Sequence, residues 1–146
     1  MKFIKEEHYM GNDEDSLKLC EKEIAEDNRY FDEVVRNCFT KKFVTEYFKL
    51  HGFHDWIFQS VQYFWWKKAY CYRNSIWRIY KKSKAIKYQN VQSLRCSFNT
   101  KHFQDTYHDE YGIDEFYRIS DKLFSHEVYC HSDSNYYIEF QKISIV

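Results

Sequence analysis

The sequence predicts an α+β domain, with two N-terminal helices packed on a mostly antiparallel sheet of about five to six strands. Three observations carry that expectation. Up to Gly52 the apolar residues recur at about the helical interval of 3.6 residues; beyond Gly52 they fall on every second residue; and the later apolar runs are joined by short polar connections. The 146 residues are 44% apolar and include 13 Phe, 14 Tyr and 4 Trp. That is ample for a packed core and too much for a disordered chain. No linker or internal repeat interrupts the chain, so residues 1–146 read as one domain, helical over about 12–52 and sheet over about 53–146.

Met1 to Ile4 is expected to form a short first strand. Asn12-Asp13-Glu14-Asp15-Ser16 then supplies capping oxygens and early negative charge for a helix. Leu17, Cys20, Ile24, Phe31, Val34, Val35 and Cys38 follow at helical spacing, weakened at Asp27 and Asn28, which places the first helix at about 14–37. Thr40 caps a shorter second helix with Phe43, Tyr47, Phe48 and Leu50 as its apolar stripe, and Gly52 ends it.

Strand patterns follow. Ile57, Val61 and Tyr63 alternate with Phe58, Ser60 and Gln62; Ile86, Tyr88, Leu94, Cys96 and Phe98 share one parity; Ile113, Tyr117 and Ile119 share another. Phe124, His126, Val128 and Cys130 form the clearest set, followed by Tyr136, Ile138 and Phe140. Because Ile143 and Ile145 continue the apolar set at the opposite parity, a bulge is expected near Gln141 and Lys142. Ser132-Asp133-Ser134-Asn135 connects the two clearest strands as a hairpin loop. Proline is absent and glycine occurs only at Gly11, Gly52 and Gly112, so Asn, Asp, Ser and Lys must make most turns.

Composition excludes a membrane-spanning helix, a collagen and a disulfide scaffold, and the first residues lack the apolar run of a signal peptide. A cytoplasmic protein is expected. The five cysteines, Cys20, Cys38, Cys71, Cys96 and Cys130, are too widely spaced for a Cys-x-x-Cys pair and read as reduced, inert thiols within helices and strands. Net charge is zero but unevenly placed: residues 1–33 carry 11 acids and 5 bases, 34–101 carry 2 and 14, and 102–146 carry 9 and 3. The basic stretch 67–101 is interleaved with Tyr70, Tyr72, Trp77, Tyr80, Tyr88 and Phe98, a pattern that suits a small nucleic-acid-binding module. The competing reading is internal compensation, in which the acidic flanks pack beside the basic middle.

Catalytic patterns are weak. His51, His54 and Asp55 offer possible metal ligands without a diagnostic spacing, and a structural role at the helix-to-strand junction is preferred. His126 and His131 have opposite strand parity and do not form a joint site. His102 and His108, near Asp105, Asp109 and Glu110, match no familiar ligand set. No phosphate loop or nucleophile elbow is present, so neither a cofactor nor a metal is expected.

Gly52-Phe53-His54-Asp55-Trp56-Ile57, together with Asp114-Glu115-Phe116-Tyr117, Phe124-Ser125-His126-Glu127-Val128, Ile138-Glu139-Phe140 and Ile143-Ser144-Ile145, resembles small bacterial immunity proteins of polymorphic, secreted LXG-type toxin systems. The resemblance spans about residues 39–146 and departs from the family where Ser132 to Asn135 holds no glycine. It implies a non-enzymatic protein that occludes the C-terminal domain of a cognate toxin, with a nuclease as the expected target. A basic nuclease groove calls for acidic anchors on the inhibitor. Two clusters qualify: Asp13, Glu14, Asp15, Glu21 and Glu23, and the preferred set Asp105, Asp109, Glu110, Asp114 and Glu115. Of the adjacent Trp65 and Trp66 one ring must turn away from the core; Trp66 is the candidate aromatic anchor, although the pattern leaves open which of the two faces outward.

Overall fold

The computed structural model describes residues 1–50, 52–53, 57–64, 69–75, 84–97 and 109–146. Helices precede an antiparallel sheet, as the α+β expectation requires. The expected strand at Met1 to Ile4 is replaced by irregular chain leading into a one-turn helix, α1 (Glu6–Tyr9), which the sequence reading lacked. The carboxylate of Glu115 explains the difference: it accepts hydrogen bonds from the backbone N–H groups of Lys2, Phe3 and Ile4 at 2.7, 3.0 and 3.3 Å, doing for this segment what a neighbouring strand would have done.

Helix α2 (Glu14–Tyr30) starts where expected, with the Asp13 carboxylate accepting from the Ser16 N–H. It continues as a π-helical turn at Phe31–Val35 and tightens to a 3-10 turn at Arg36–Cys38, so the expected first helix is one helical run with three windings. The wide turn buries Phe31 and Val35. Along α2 itself only Cys20 is buried, and Leu17, expected on the inward stripe, is 52% exposed. Helix α3 (Lys41–Lys49) is capped by the Thr40 hydroxyl, which accepts from the Phe43 N–H. Gly52 ends this helix in the left-handed region (φ 69°) with its N–H donated to the Tyr47 carbonyl, the conformation in which glycine avoids a Cβ clash.

Among the described residues eight strands follow: β1 (Ile57–Phe64), β2 (Ala69–Ser75), β3 (Lys84–Gln89), β4 (Ser93–Ser97), β5 (Asp109–Ser120), β6 (Leu123–Cys130), β7 (Asn135–Phe140) and β8 (Lys142–Ile145). Their hydrogen-bonded order is β4-β7-β6-β5-β1-β2-β3-β8. The ends of that order are joined through the chain itself. Residues 90–92 lead β3 into β4, and Gln141 leads β7 into β8. The two bent strands lie against each other, Tyr88 opposite Ile143 and Ser93 opposite Glu139. Counted as bent strands, the eight become six long ones that curl into a barrel-like layer whose corners are made where strands change partners. The expected irregularity at Gln141 is such a corner: its N–H donates to the Gln89 carbonyl.

Strands β1 and β5 complete the ring through Ile57 opposite Glu110 and Phe58 opposite Asp109. Farther along β5 the helical layer covers the edge, where the Arg118 N–H donates to the Tyr30 hydroxyl at 3.3 Å. The β5 parity also differs from the sequence reading. Phe116 faces the core at 1% exposure, while Ile113 and Tyr117 face the N-terminal segment and Ile119 is 40% exposed. Residue Gly112 shifts the register between Tyr111 and Ile113, and a Cβ there would meet the Tyr9 hydroxyl at 2.8 Å.

The core gathers Phe31, Phe43 and Phe53 from the helical half with Ile86, Tyr88, Phe116, Val128 and Phe140 from the strands. Ring contacts knit them: Phe39 lies 5.0 Å from Phe124 and Phe43 lies 6.0 Å from Phe116. The hairpin after β6 works without glycine because Asp133 takes the left-handed position (φ 64°), and the buried Ser132 and Ser134 hydroxyls bond each other. No helix among the described residues is long and apolar enough to cross a membrane.

Replacing Glu115 with Ala strands three backbone N–H groups and is expected to lower the unfolding free energy by about 2–4 kcal/mol. Replacing the exposed Glu14 with Ala should cost no more than about 0.5 kcal/mol. Urea unfolding of the two variants measures the contrast.

Candidate functional site

Four side chains from four elements form a chain of hydrogen bonds through the core. Tyr88 of β3 meets His126 Nδ1 of β6 at 2.5 Å, His126 Nε2 meets Asp114 Oδ2 of β5 at 2.9 Å, and the Tyr47 hydroxyl of α3 donates to the same oxygen at 3.2 Å. A carboxylate accepts and does not donate, so Nε2 carries the imidazole hydrogen and Nδ1 accepts from Tyr88. The imidazole is 0% exposed and stacks on Phe116 with ring centroids 4.0 Å apart. Burial, then the nearby Asp114 carboxylate, pushes the Tyr47 hydroxyl well above its usual range.

Asp114 brings this chain to a surface. Together with Asp27 of α2 it lines a cleft of about 510 Å³ between the helices and β5, whose apolar wall includes Ile4, Ile24, Phe48 and Ile113. Asp27 Oδ1 is enclosed and has no hydrogen-bond partner. Burial, reinforced by the Glu115 and Asp114 carboxylates, raises the Asp27 carboxyl from 3.8 to about 8. Asp27 is therefore held mainly as the neutral acid at pH 7, in a cleft that has one carboxylate already bonded and one carboxyl oxygen waiting for a donor.

The sequence-predicted residues divide among several places. Glu115 is 3% exposed and holds the N-terminal segment, so its charge is not presented outward. Asp114 lies in the cleft wall, bonded to His126 and Tyr47. Asp109 and Glu110 open β5 at its pairing with β1. Asp105, Trp65, Trp66, His51, His54, Asp55, His102 and His108 lie outside the described residues. In the first acidic cluster Asp13 is the helix cap, Glu23 bonds the Lys5 N–H and the His8 ring, and Glu14, Asp15 and Glu21 are exposed. His126 is buried and His131 exposed. Cys20 and Cys130 are buried, whereas Cys38 and Cys96 are exposed rather than core residues.

Within the basic stretch, Lys84 pairs with Glu46 at 2.5 Å and Arg95 lies over the Tyr137 ring at 4.2 Å, so part of that charge is used internally. Among the described residues no group of His, Cys, Asp and Glu has the arrangement of a metal site. The chain matches no known family model, no curated protein and no solved structure.

Sequence reasoning passed over Asp27, although a signal was present. Asp27 stands three residues after Ile24 and four before Phe31, a position the apolar spacing reserves for the inward face. An acid there is either a fault in the pattern or part of a site.

The proton on Asp27 gives a pH signature. The folded chain holds it to about pH 8, whereas an unfolded Asp releases it near 3.8, so the folded state binds more protons across that interval and stability falls as pH rises through it. The Asp27→Asn variant is expected to lose this slope, matching the parent at pH 4 and exceeding it at pH 8 in urea midpoint. Truncating the imidazole in His126→Ala takes one hydrogen-bond partner from Asp114 and one from Tyr88 and leaves a void beside Phe116, and is expected to cost about 3–5 kcal/mol, read by the same titration.

Proposed function

We propose that this chain is an immunity protein that binds and neutralises a cognate secreted toxin domain, with a nuclease as the favoured target, by occlusion and without chemistry of its own. The observation that carries this reading is the surface of α2. A 17-residue helix with one buried side chain leaves Leu17 and Leu19 at 52% and 44% exposure, among exposed carboxylates. Leu17 lies at helical spacing from Glu14 and Glu21, so one exposed apolar side chain stands between two carboxylates. Apolar anchors framed by charge suit a protein interface, and negative charge suits a partner whose own groove binds phosphate. The resemblance of residues 39–146 to immunity proteins supports the same reading from the sequence.

The test is co-expression with the C-terminal domain of a large secreted protein encoded by a neighbouring gene. Restored growth with a complex that survives purification supports the reading; toxicity undiminished in the presence of folded protein overturns it. In the complex, the double variant Leu17→Ser/Glu21→Lys is expected to weaken affinity at least about tenfold and to flatten its salt dependence. Because both residues are exposed, its thermal midpoint should stay close to that of the parent.

A further inference from the structure

We propose that the cleft between α2, α3 and β5 is the seat for one cationic side chain, a guanidinium or ammonium, delivered by the protein partner. This deepens the immunity reading and rests on it. The cleft volume of about 510 Å³ exceeds what one side chain needs and leaves room for the segment that carries it. Its walls suit an amphipathic cation: Ile4, Ile24 and Ile113 offer contact to a methylene stem.

The polar end of the cleft is specific in sign. Asp114 and Asp27 are the carboxyl groups lining it, and Lys and Arg are absent from its described lining. Asp114 Oδ2 is already engaged by Tyr47 and His126, while Asp27 Oδ1 is an acceptor with no donor. An incoming cation would meet the Asp27 carboxyl where that residue lines the cleft. It would also meet the charge that Asp27 suppresses, since the carboxyl stands raised to about 8 by burial and by its acidic neighbours Glu115 and Asp114. Binding a cation therefore displaces the Asp27 proton to solvent: one N–H···O contact forms, one O–H bond breaks, and the charge of the cation is balanced by the carboxylate left behind. A neutral apolar occupant would gain nothing from either acid.

The experiment uses the whole chain and N-acetylarginine methyl amide as the probe, with N-acetylnorleucine methyl amide as an uncharged comparison at matched concentration. Amide NMR shifts at Gly52, Gly112 and Ile113 are expected to saturate with the arginine probe. The uncharged amide should leave them in place. Calorimetry at pH 7 in two buffers of different ionisation enthalpy should show release of most of one proton per probe bound, and Asp27→Asn should abolish that release and weaken binding at least tenfold. Equal shifts with both probes, shifts elsewhere only, or a variant that binds and releases protons like the parent would overturn the cleft assignment. Absence of binding by either probe in a chain that still protects cells from its toxin would overturn this inference and leave the immunity reading standing. Failure of protection with intact arginine binding would do the reverse.

Discussion

The imidazole of His126 joins, by hydrogen bonds, elements that apolar packing also brings together in the core. Through its two nitrogens it connects Tyr88 on β3 to Asp114 on β5, and Asp114 extends the connection to Tyr47 on α3. These strands lie on different parts of the curled sheet, separated in the hydrogen-bonded order by β1 and β2. A buried polar chain of this kind is tolerable only if each member is satisfied by the next, because an isolated polar atom in this aromatic surrounding would lose water and gain nothing. The geometry is thereby restricted to arrangements in which all four side chains meet. Apolar packing alone would accept several.

The cleft inherits its shape from that restriction. Asp114 is held from inside by His126 and from the helix side by Tyr47, so its carboxylate has a defined position at the wall. Glu115, the next residue, points to the other face of β5 and anchors residues 2–4, among them Ile4, which lines the same cleft. Two adjacent acids on one strand thus serve opposite faces, as strand alternation requires. Asp27 completes the wall from α2 and keeps its proton because burial, and then the two nearby acids on β5, disfavour its charged form.

Local chemistry was readable from the sequence wherever one element decides the outcome. The helix start at Asp13, the Thr40 cap, the glycine stop at Gly52, the hairpin at Ser132 to Asn135 and the break at Gln141 each depend on a few neighbouring residues, and each stands where the pattern placed it. What could not be read depends on partners distant in sequence. The strand expected at Met1 to Ile4 lost its role to a carboxylate more than 110 residues away. On β5 the alternation of Ile113, Tyr117 and Ile119 suggested a core face, yet Phe116 and Asp114 point inward because β6 presents His126 there. Periodicity reports that a strand has two faces; it does not report which is covered. The preferred acidic cluster likewise joined residues by nearness in sequence, and the fold sends Asp114 and Glu115 to opposite sides of a strand.

The bend at Gln141 has a consequence for how the chain reaches this shape. Strand β8, whose Ile143 and Ile145 pack against the older half of the sheet, follows every other strand in the chain, and its partner β3 was made more than 50 residues before it. During synthesis the edge of β3 must therefore wait unpaired until β8 emerges. Such non-local closure is slow compared with helix formation. Whatever depends on the closed sheet can therefore begin only once the last strand has been made and paired.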